Sequence, residues 1–313
     1  MSLAFLFPGQ GSQFAGMGKD LADAFPEARL VYARADEALA PFGFSVSKTS
    51  FEGTDEDLRQ TAVTQPAILT HAVAVFEVLK TRGVAPSVAA GHSLGEYAAL
   101  VVAGALTLED AVVLVRRRGL FMQEAVPAGE GAMAAVIGLS PEAVAAACSE
   151  AASEMGQVCS AANFNSPEQT VIAGSAACVS KAGEILKAAG AKRVLPLPVS
   201  APFHCALMKP AEEKLAPYLA AATFRPLSIP IVTNVDALET TDPEVARESL
   251  RRQICFPVRW VESVRRLASL APSALECGPG TVLAGLAKRI AKDWPVKTTS
   301  TAGAVSDFSS FGS

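Results

Sequence analysis

The chain has 313 residues, half of them apolar, with a formal net charge of −4. That is enough to bury the core of one large α/β domain, or of a domain carrying an inserted subdomain. The mildly acidic balance gives no general attraction to nucleic acid or to an anionic membrane surface.

The first lysine is Lys19, and the apolar run Leu3 to Phe7 is too short for a signal core or a membrane span, so a cytoplasmic chain is expected. Six cysteines stand apart with no C-x-x-C pair, several in apolar runs, which suits reduced thiols in a core.

Leu3 to Phe7 reads as a buried strand ending at Pro8, and Gly9-Gln10-Gly11-Ser12-Gln13 follows as a loop whose glycines let backbone N–H groups turn toward a ligand. Leu21 to Ala40 has helical spacing interrupted by Pro26. Gln65-Pro66-Ala67 is expected to open an apolar helix through Leu79.

A short apolar run, Val88 to Ala90, then enters Gly91-His92-Ser93-Leu94-Gly95, and a helix-prone run leaves it. Gly-x-Ser-x-Gly between strand and helix is the pattern of a nucleophile elbow, in which small flanking residues allow a turn sharp enough to expose the serine hydroxyl. Ser93 is therefore the candidate nucleophile; the alternative is a glycine-bounded loop that packs a helix on a sheet. Thr107-Leu108-Glu109-Asp110 marks the start of a helix carrying Arg116-Arg117-Arg118.

From about Gly131 the grammar changes. Strand 132–139, a helix from Ser140-Pro141-Glu142 to Met155, strands 158–162 and 170–173, helix 175–189 and strand 192–199 give the order βαββαβ, the ferredoxin-like split arrangement. The αβ pattern then resumes with helix 205–222, strand 229–233, helices near 243–254 and 257–270, strand 274–277 and a helix from Thr281. From Thr298 a loose Gly/Ser-rich terminus is expected. The expected domains are 1–128 with 200–313 for the main unit and 129–199 for the insertion.

A serine hydroxyl is nearly un-ionised at neutral pH and needs a base within hydrogen-bond reach. Of three histidines, His71 lies in an apolar helical run and His92 is constrained inside the elbow. His204, where a strand gives way to a helix, is left as the candidate base, with a capping or surface role as its alternative. No acid is singled out to orient it; a carboxylate or a backbone carbonyl would serve.

Phe7-Pro8-Gly9-Gln10-Gly11-Ser12-Gln13, Gln65-Pro66-Ala67, Gly91 to Tyr97, Arg118-Gly119 with Met122-Gln123, Asn163-Phe164-Asn165-Ser166-Pro167, His204 to Met208, Asn234-Val235-Asp236 and Glu276 to Gly280 together resemble the malonyl-CoA:acyl carrier protein transacylase family. Eight ordered blocks span nearly the whole chain. The resemblance implies an α/β-hydrolase-like main domain with an inserted ferredoxin-like subdomain. It implies ping-pong transfer of malonyl from coenzyme A to an acyl carrier protein thiol, in fatty acid or polyketide biosynthesis.

Ser93 would be the acylated nucleophile and His204 its base. The backbone N–H groups of Gln10 and Leu94 would form the oxyanion hole, and a backbone carbonyl near Gln253 would hold the base. Arg118 resembles the family's carboxylate-binding arginine, although its neighbours Arg116 and Arg117 have equally apolar surroundings. Gln65, Asn163 and Asn165 would line the same site, and Phe203 resembles the aromatic of malonyl-selective relatives. No metal or redox cofactor is implied, and a monomer without nucleic-acid or membrane partners is expected. The rival readings are an esterase or thioesterase releasing the acid to water, and a noncatalytic carrier-binding module.

Overall fold

The computed structural model describes residues 2–199 and 201–308. Ser200, where the second part of the main domain is expected to begin, and residues 309–313 of the tail lie outside them.

In chain order the first half contains β1 (Ala4–Phe7), α1 (Lys19–Ala24), α2 (Pro26–Leu39), α3 (Val46–Glu52), α4 (Thr61–Thr81), β2 (Val88–Gly91), α5 (Gly95–Val102), α6 (Leu108–Glu124), β3 (Gly131–Ile137) and α7 (Pro141–Met155). The second half contains β4 (Cys159–Ser166), β5 (Gln169–Ser175), α8 (Ala176–Ala188), β6 (Arg193–Pro196), α9 (Lys209–Ala221), β7 (Ile231–Val232), β8 (Glu239–Thr240), α10 (Pro243–Gln253), α11 (Trp260–Leu270), β9 (Ala274–Cys277), α12 (Val282–Ile290), β10 (Val296–Thr299) and α13 (Ala302–Asp307).

These strands form two sheets. The larger, ordered β10-β9-β1-β2-β7-β8, is parallel except for the β8 edge. Its central strands β1, β2 and β9 are buried along their whole length, which is why they read as apolar runs without alternation. Side chains still alternate between faces. Phe5, Phe7, Ala89 and Leu275 join the core shared with α4 and α6, whereas Ala4, Leu6, Val88 and Ala274 pack with Trp260, Val264 and Leu283 from α11 and α12.

The smaller sheet, ordered β4-β5-β3-β6, is antiparallel throughout, and α7 and α8 cover it through a separate apolar cluster around Val144, Ile172 and Leu186. Two backbone bonds join it to the larger unit: Val258 N–H to the Ala162 carbonyl and Phe164 N–H to the Val258 carbonyl, each 2.9 Å. Those bonds hold Val258 in a β-bridge with Asn163, so α11 begins at Trp260, later than the spacing predicts.

Two further expectations change. Helix α4 begins four residues before Gln65 and runs through Pro66. Proline lacks the N–H that would bond the carbonyl four residues back. That carbonyl, of Ala62, instead accepts from Arg116 Nη1 at 2.7 Å, which makes the proline tolerable inside the helix. By length and composition α4 would cross a bilayer, yet 89% of its most apolar window is buried inside the protein.

The described part of the tail is ordered rather than loose. Val296–Thr299 forms the edge strand β10, where β-branched side chains suit a pleated surface, and Thr301 caps α13 by accepting from Ala304 N–H. Val305 is fully buried.

Beneath the β9–α12 turn, the Glu276 carboxylate accepts from Leu283 and Ala284 N–H at 3.0 and 2.8 Å, capping α12. Burial nevertheless raises its pKa to about 7. Because the folded value lies above the unfolded one, this group's stabilisation is complete below about pH 4.5 and is lost as pH rises through about 7. The loss amounts to roughly 3 kcal/mol. In Glu276→Gln, the Tm should therefore fall less between pH 5 and pH 8 than in the parent protein; equal falls would contradict the assignment.

Candidate active site

The chain turns from β2 into α5 through Gly91-His92-Ser93-Leu94-Gly95, and the glycines are required by close approach. A Cβ on Gly91 would lie 1.8 Å from the Gly95 carbonyl carbon, and one on Gly95 would lie 2.0 Å from the Phe7 carbonyl oxygen. Ser93 itself has φ 51°, in the left-handed region that non-glycine residues rarely occupy. Its hydroxyl is thereby raised above the strand ends.

Asn234, in the loop after β7, fixes this turn from below. Its Oδ1 accepts from Ser93 N–H at 2.6 Å and its Nδ2 donates to the Gly91 carbonyl at 2.6 Å.

His204 also adopts a left-handed conformation, with φ 60°. Its Nε2 lies 2.8 Å from Ser93 Oγ, and its Nδ1 lies 2.7 Å from the Gln253 carbonyl oxygen at the end of α10. A carbonyl can only accept, so Nδ1 carries the proton and Nε2 faces the serine with a lone pair. Burial, aided by the nearby Arg118 charge, pulls the His204 pKa down to about 3. The imidazole is therefore neutral at physiological pH and able to take a proton.

The three consecutive arginines of α6 go to three different places, as 100° of rotation per residue requires. Arg116 reaches the Ala62 carbonyl, and Arg117 stacks on Tyr218 with 4.0 Å to the ring centre. Arg118 alone turns into the site, where it is 1% exposed. Its Nη2 donates to Ser93 Oγ at 3.1 Å and to Gln253 Oε1 at 2.9 Å. Its Nε has no acceptor among the described residues, so one edge of a buried guanidinium is left for an anion.

A cavity of about 110 Å³ opens over these groups. Gln10, Gln65, Leu94, Asn163 and Phe203 contribute to its wall with Met122, and so do Met133, Leu197 and Val199, which no local signal marked. The Gln65 amide oxygen is buried with no partner among the described residues, and its Nε2 meets only Met122 Sδ at 3.9 Å. The backbone N–H groups of Gln10 and Leu94 have no acceptor among the described residues, and both residues line the cavity with Ser93. Asn165 is placed differently from the expectation: its Oδ1 binds His92 Nε2 at 2.8 Å, tying the smaller sheet to the elbow, and it does not line the cavity.

Chemically this is a strained serine with a neutral imidazole for its proton, two backbone donors without an acceptor among the described residues, and a guanidinium in the wall of a small pocket. Among the described residues, no group of three or more His, Cys, Asp or Glu side chains is placed to hold a metal ion.

Similarity to known proteins extends over most of the chain. The acyl transferase domain family model matches residues 4–305. The malonyl CoA-acyl carrier protein transacylase of Escherichia coli is 52% identical over 289 residues, covering 92% of each chain. An acyl carrier protein S-malonyltransferase from Vibrio cholerae, known from its crystal structure, is 47% identical with a TM-score of 0.93, covering 98% of this chain and 99% of that one. A malonyl-transacylase solved in complex with a type II polyketide-synthase acyl-carrier protein is 46% identical with a TM-score of 0.93, covering 97% and 98%. The chain belongs to the acyl transferase domain family, and within it to the malonyl CoA-acyl carrier protein transacylases.

Proposed function

We propose that this protein transfers malonyl from malonyl-CoA to the phosphopantetheine thiol of an acyl carrier protein through a malonyl-Ser93 ester. The observation that carries the reading is Ser93 Oγ held at once by His204 Nε2 and Arg118 Nη2.

In the first half-reaction His204 Nε2 takes the hydroxyl proton while Ser93 Oγ attacks the thioester carbonyl. The developing oxyanion accepts from the Gln10 and Leu94 N–H groups, each worth roughly 3 to 4 kcal/mol in such sites. The C–S bond then breaks, and the coenzyme A thiolate takes the proton from the imidazolium. In the second half-reaction the carrier thiol gives its proton to His204, its sulfur attacks the ester, and Ser93 Oγ leaves and is reprotonated.

Arg118 is read as the ligand of the free malonate carboxylate, with the Gln65 amide beside it. The guanidinium also depresses His204. A bound carboxylate offsets that charge and makes the imidazole a stronger base when substrate arrives. The Gln253 carbonyl orients His204, and Asn165 orients the elbow through His92. Acyl transfer balances with serine, imidazole and the two thiols, so no metal or redox cofactor enters the reading.

We read the larger sheet with its helices, residues 1–128 and 200–313, as an α/β-hydrolase-like domain and residues 129–199 as a ferredoxin-like insertion. The elbow between β2 and α5 supports the first, and the βαββαβ order with antiparallel sheet order β4-β5-β3-β6 supports the second. A cytoplasmic monomer is the corresponding cellular form.

The partition of product tests the reading: with holo-carrier present, label from malonyl-CoA should accumulate on the carrier, and release chiefly as free malonate would identify a hydrolase instead. Acyl size gives a second check. Phe203 is nearly buried against the cavity, where the extra methyl of methylmalonyl would meet it. One methyl group is typically worth about 1 to 3 kcal/mol, so Phe203→Ser should shift the malonyl-to-methylmalonyl ratio of kcat/KM by about tenfold or more. An unaltered ratio would make the ring a packing element only.

A further inference from the structure

Glu96, three residues after the serine, is fully buried beneath the site and plays no part in the steps above. Its Oε2 accepts from Asn234 N–H at 3.0 Å and from Gln253 Nε2 at 2.8 Å, and its Oε1 accepts from Ser249 Oγ at 3.0 Å. The other end of the same Gln253 amide accepts from Arg118. Carboxylate, amide and guanidinium thus form one continuous chain, from a buried anion to the group facing the pocket. No salt bridge satisfies Arg118 directly among the described residues, and Glu96 is the carboxylate whose charge it feels.

We propose that Glu96 is a positioning residue that sets how strongly Arg118 binds a carboxylate, acting through the Gln253 amide. The inference rests on Arg118 being the malonate ligand. In the empty site the Glu96 charge compensates the guanidinium, and an incoming carboxylate must compete with that compensation. Neutralising Glu96 therefore strengthens capture of malonyl and leaves acetyl, which has no carboxylate, unaffected.

Protonation does the same as substitution. Burial raises the Glu96 pKa to about 7, against the opposing pull of its hydrogen bonds. The other ionisable groups around it are Arg118 on α6, Tyr97 on its own helix, and His92 and His204 beside Ser93. Burial raises the Tyr97 phenol and lowers both imidazoles below their ordinary value of 6.5, so all three are held toward their neutral forms between pH 6.5 and pH 8.

The test compares malonyl-CoA with acetyl-CoA in the intact protein. In the parent protein the KM for malonyl-CoA, relative to that for acetyl-CoA, should fall as pH drops from 8 to 6.5. Glu96→Gln can still accept from Asn234 and Gln253 through its amide oxygen and meet Ser249 through its nitrogen, so it removes the charge and keeps the bonds. This variant should raise the malonyl-over-acetyl ratio of kcat/KM about fivefold at pH 8 and abolish its pH dependence. A residue with a merely structural role would lower both substrates together. An unchanged or lowered ratio in Glu96→Gln overturns the proposal, as does a pH-independent ratio in the parent protein, a measurement that needs no variant to fold. Arg118→Ala separates the two levels of inference: if it leaves the malonyl-to-acetyl ratio intact, the reading of Arg118 itself fails. If it collapses that ratio while Glu96→Gln does not raise it, only the role of Glu96 fails.

Discussion

Ser93→Ala is expected to lower malonyl transfer by about 10⁴- to 10⁶-fold, because in the proposed mechanism it removes the atom on which the acyl group rests between two thiols. Alanine at φ 51° carries the same backbone strain as serine, so the variant should keep the parent fold. His204→Ala should lose about 10²- to 10⁴-fold, the usual value of a positioned general base. Groups that act as a unit lose their effect together: once the serine is gone, the imidazole has no proton to move. The double variant should therefore be no slower than Ser93→Ala alone. Steady-state kcat/KM for both single variants and the double decides the matter. Losses that multiply would mean that the 2.8 Å contact between Ser93 and His204 is not used in the reaction.

Arg118→Ala should divide the substrates. A planar guanidinium can hold a carboxylate bidentately and, in a site closed to water, fixes the thioester carbonyl against Ser93 and the backbone donors. Losing one partner of a buried charge pair costs about 3 to 5 kcal/mol, so malonyl transfer should fall by about 10²- to 10⁴-fold. Acetyl transfer should hold or improve, for two reasons. Acetyl-CoA offers nothing to the guanidinium, and removing the charge leaves burial as the main cause that lowers the His204 pKa, so the imidazole becomes a somewhat stronger base. Lysine should rescue poorly because it lacks the fork. The ratio of malonyl to acetyl kcat/KM in folded Arg118→Ala is the measurement; equal losses would mean that Arg118 supports the structure rather than recognition.

What the sequence revealed, and what it concealed, follows the range of each interaction. Ser93 was legible because strand, turn and helix are local and the two glycines are demanded within five residues. His204 was reached by elimination among three histidines, and Arg118 could not be told from Arg116 and Arg117 by periodicity. Their separation depends on objects remote in sequence: the carbonyl freed by Pro66, the Tyr218 ring and the pocket itself. Asn234 and Gln253 converge on the elbow and on the adjacent Glu96 from two other elements, and no local pattern marks a hydrogen bond across 141 or 157 residues. Leu197, Val199 and Met133 look like ordinary strand residues until the smaller sheet closes over the serine. The edge strand and final helix were hidden by their small, polar composition, since their order comes from pairing with β9 and from burial of Val305.

In the proposed mechanism Ser93 carries the malonyl group between two thiols. Intact-mass analysis of the protein mixed with malonyl-CoA, followed by addition of holo-acyl carrier protein, tests it most directly. A single malonyl adduct is expected that maps to the Ser93 peptide, is missing from Ser93→Ala, and passes to the carrier when the carrier is added. No adduct on the parent protein, an adduct on another residue, or one that discharges only to water in the presence of the carrier would contradict it.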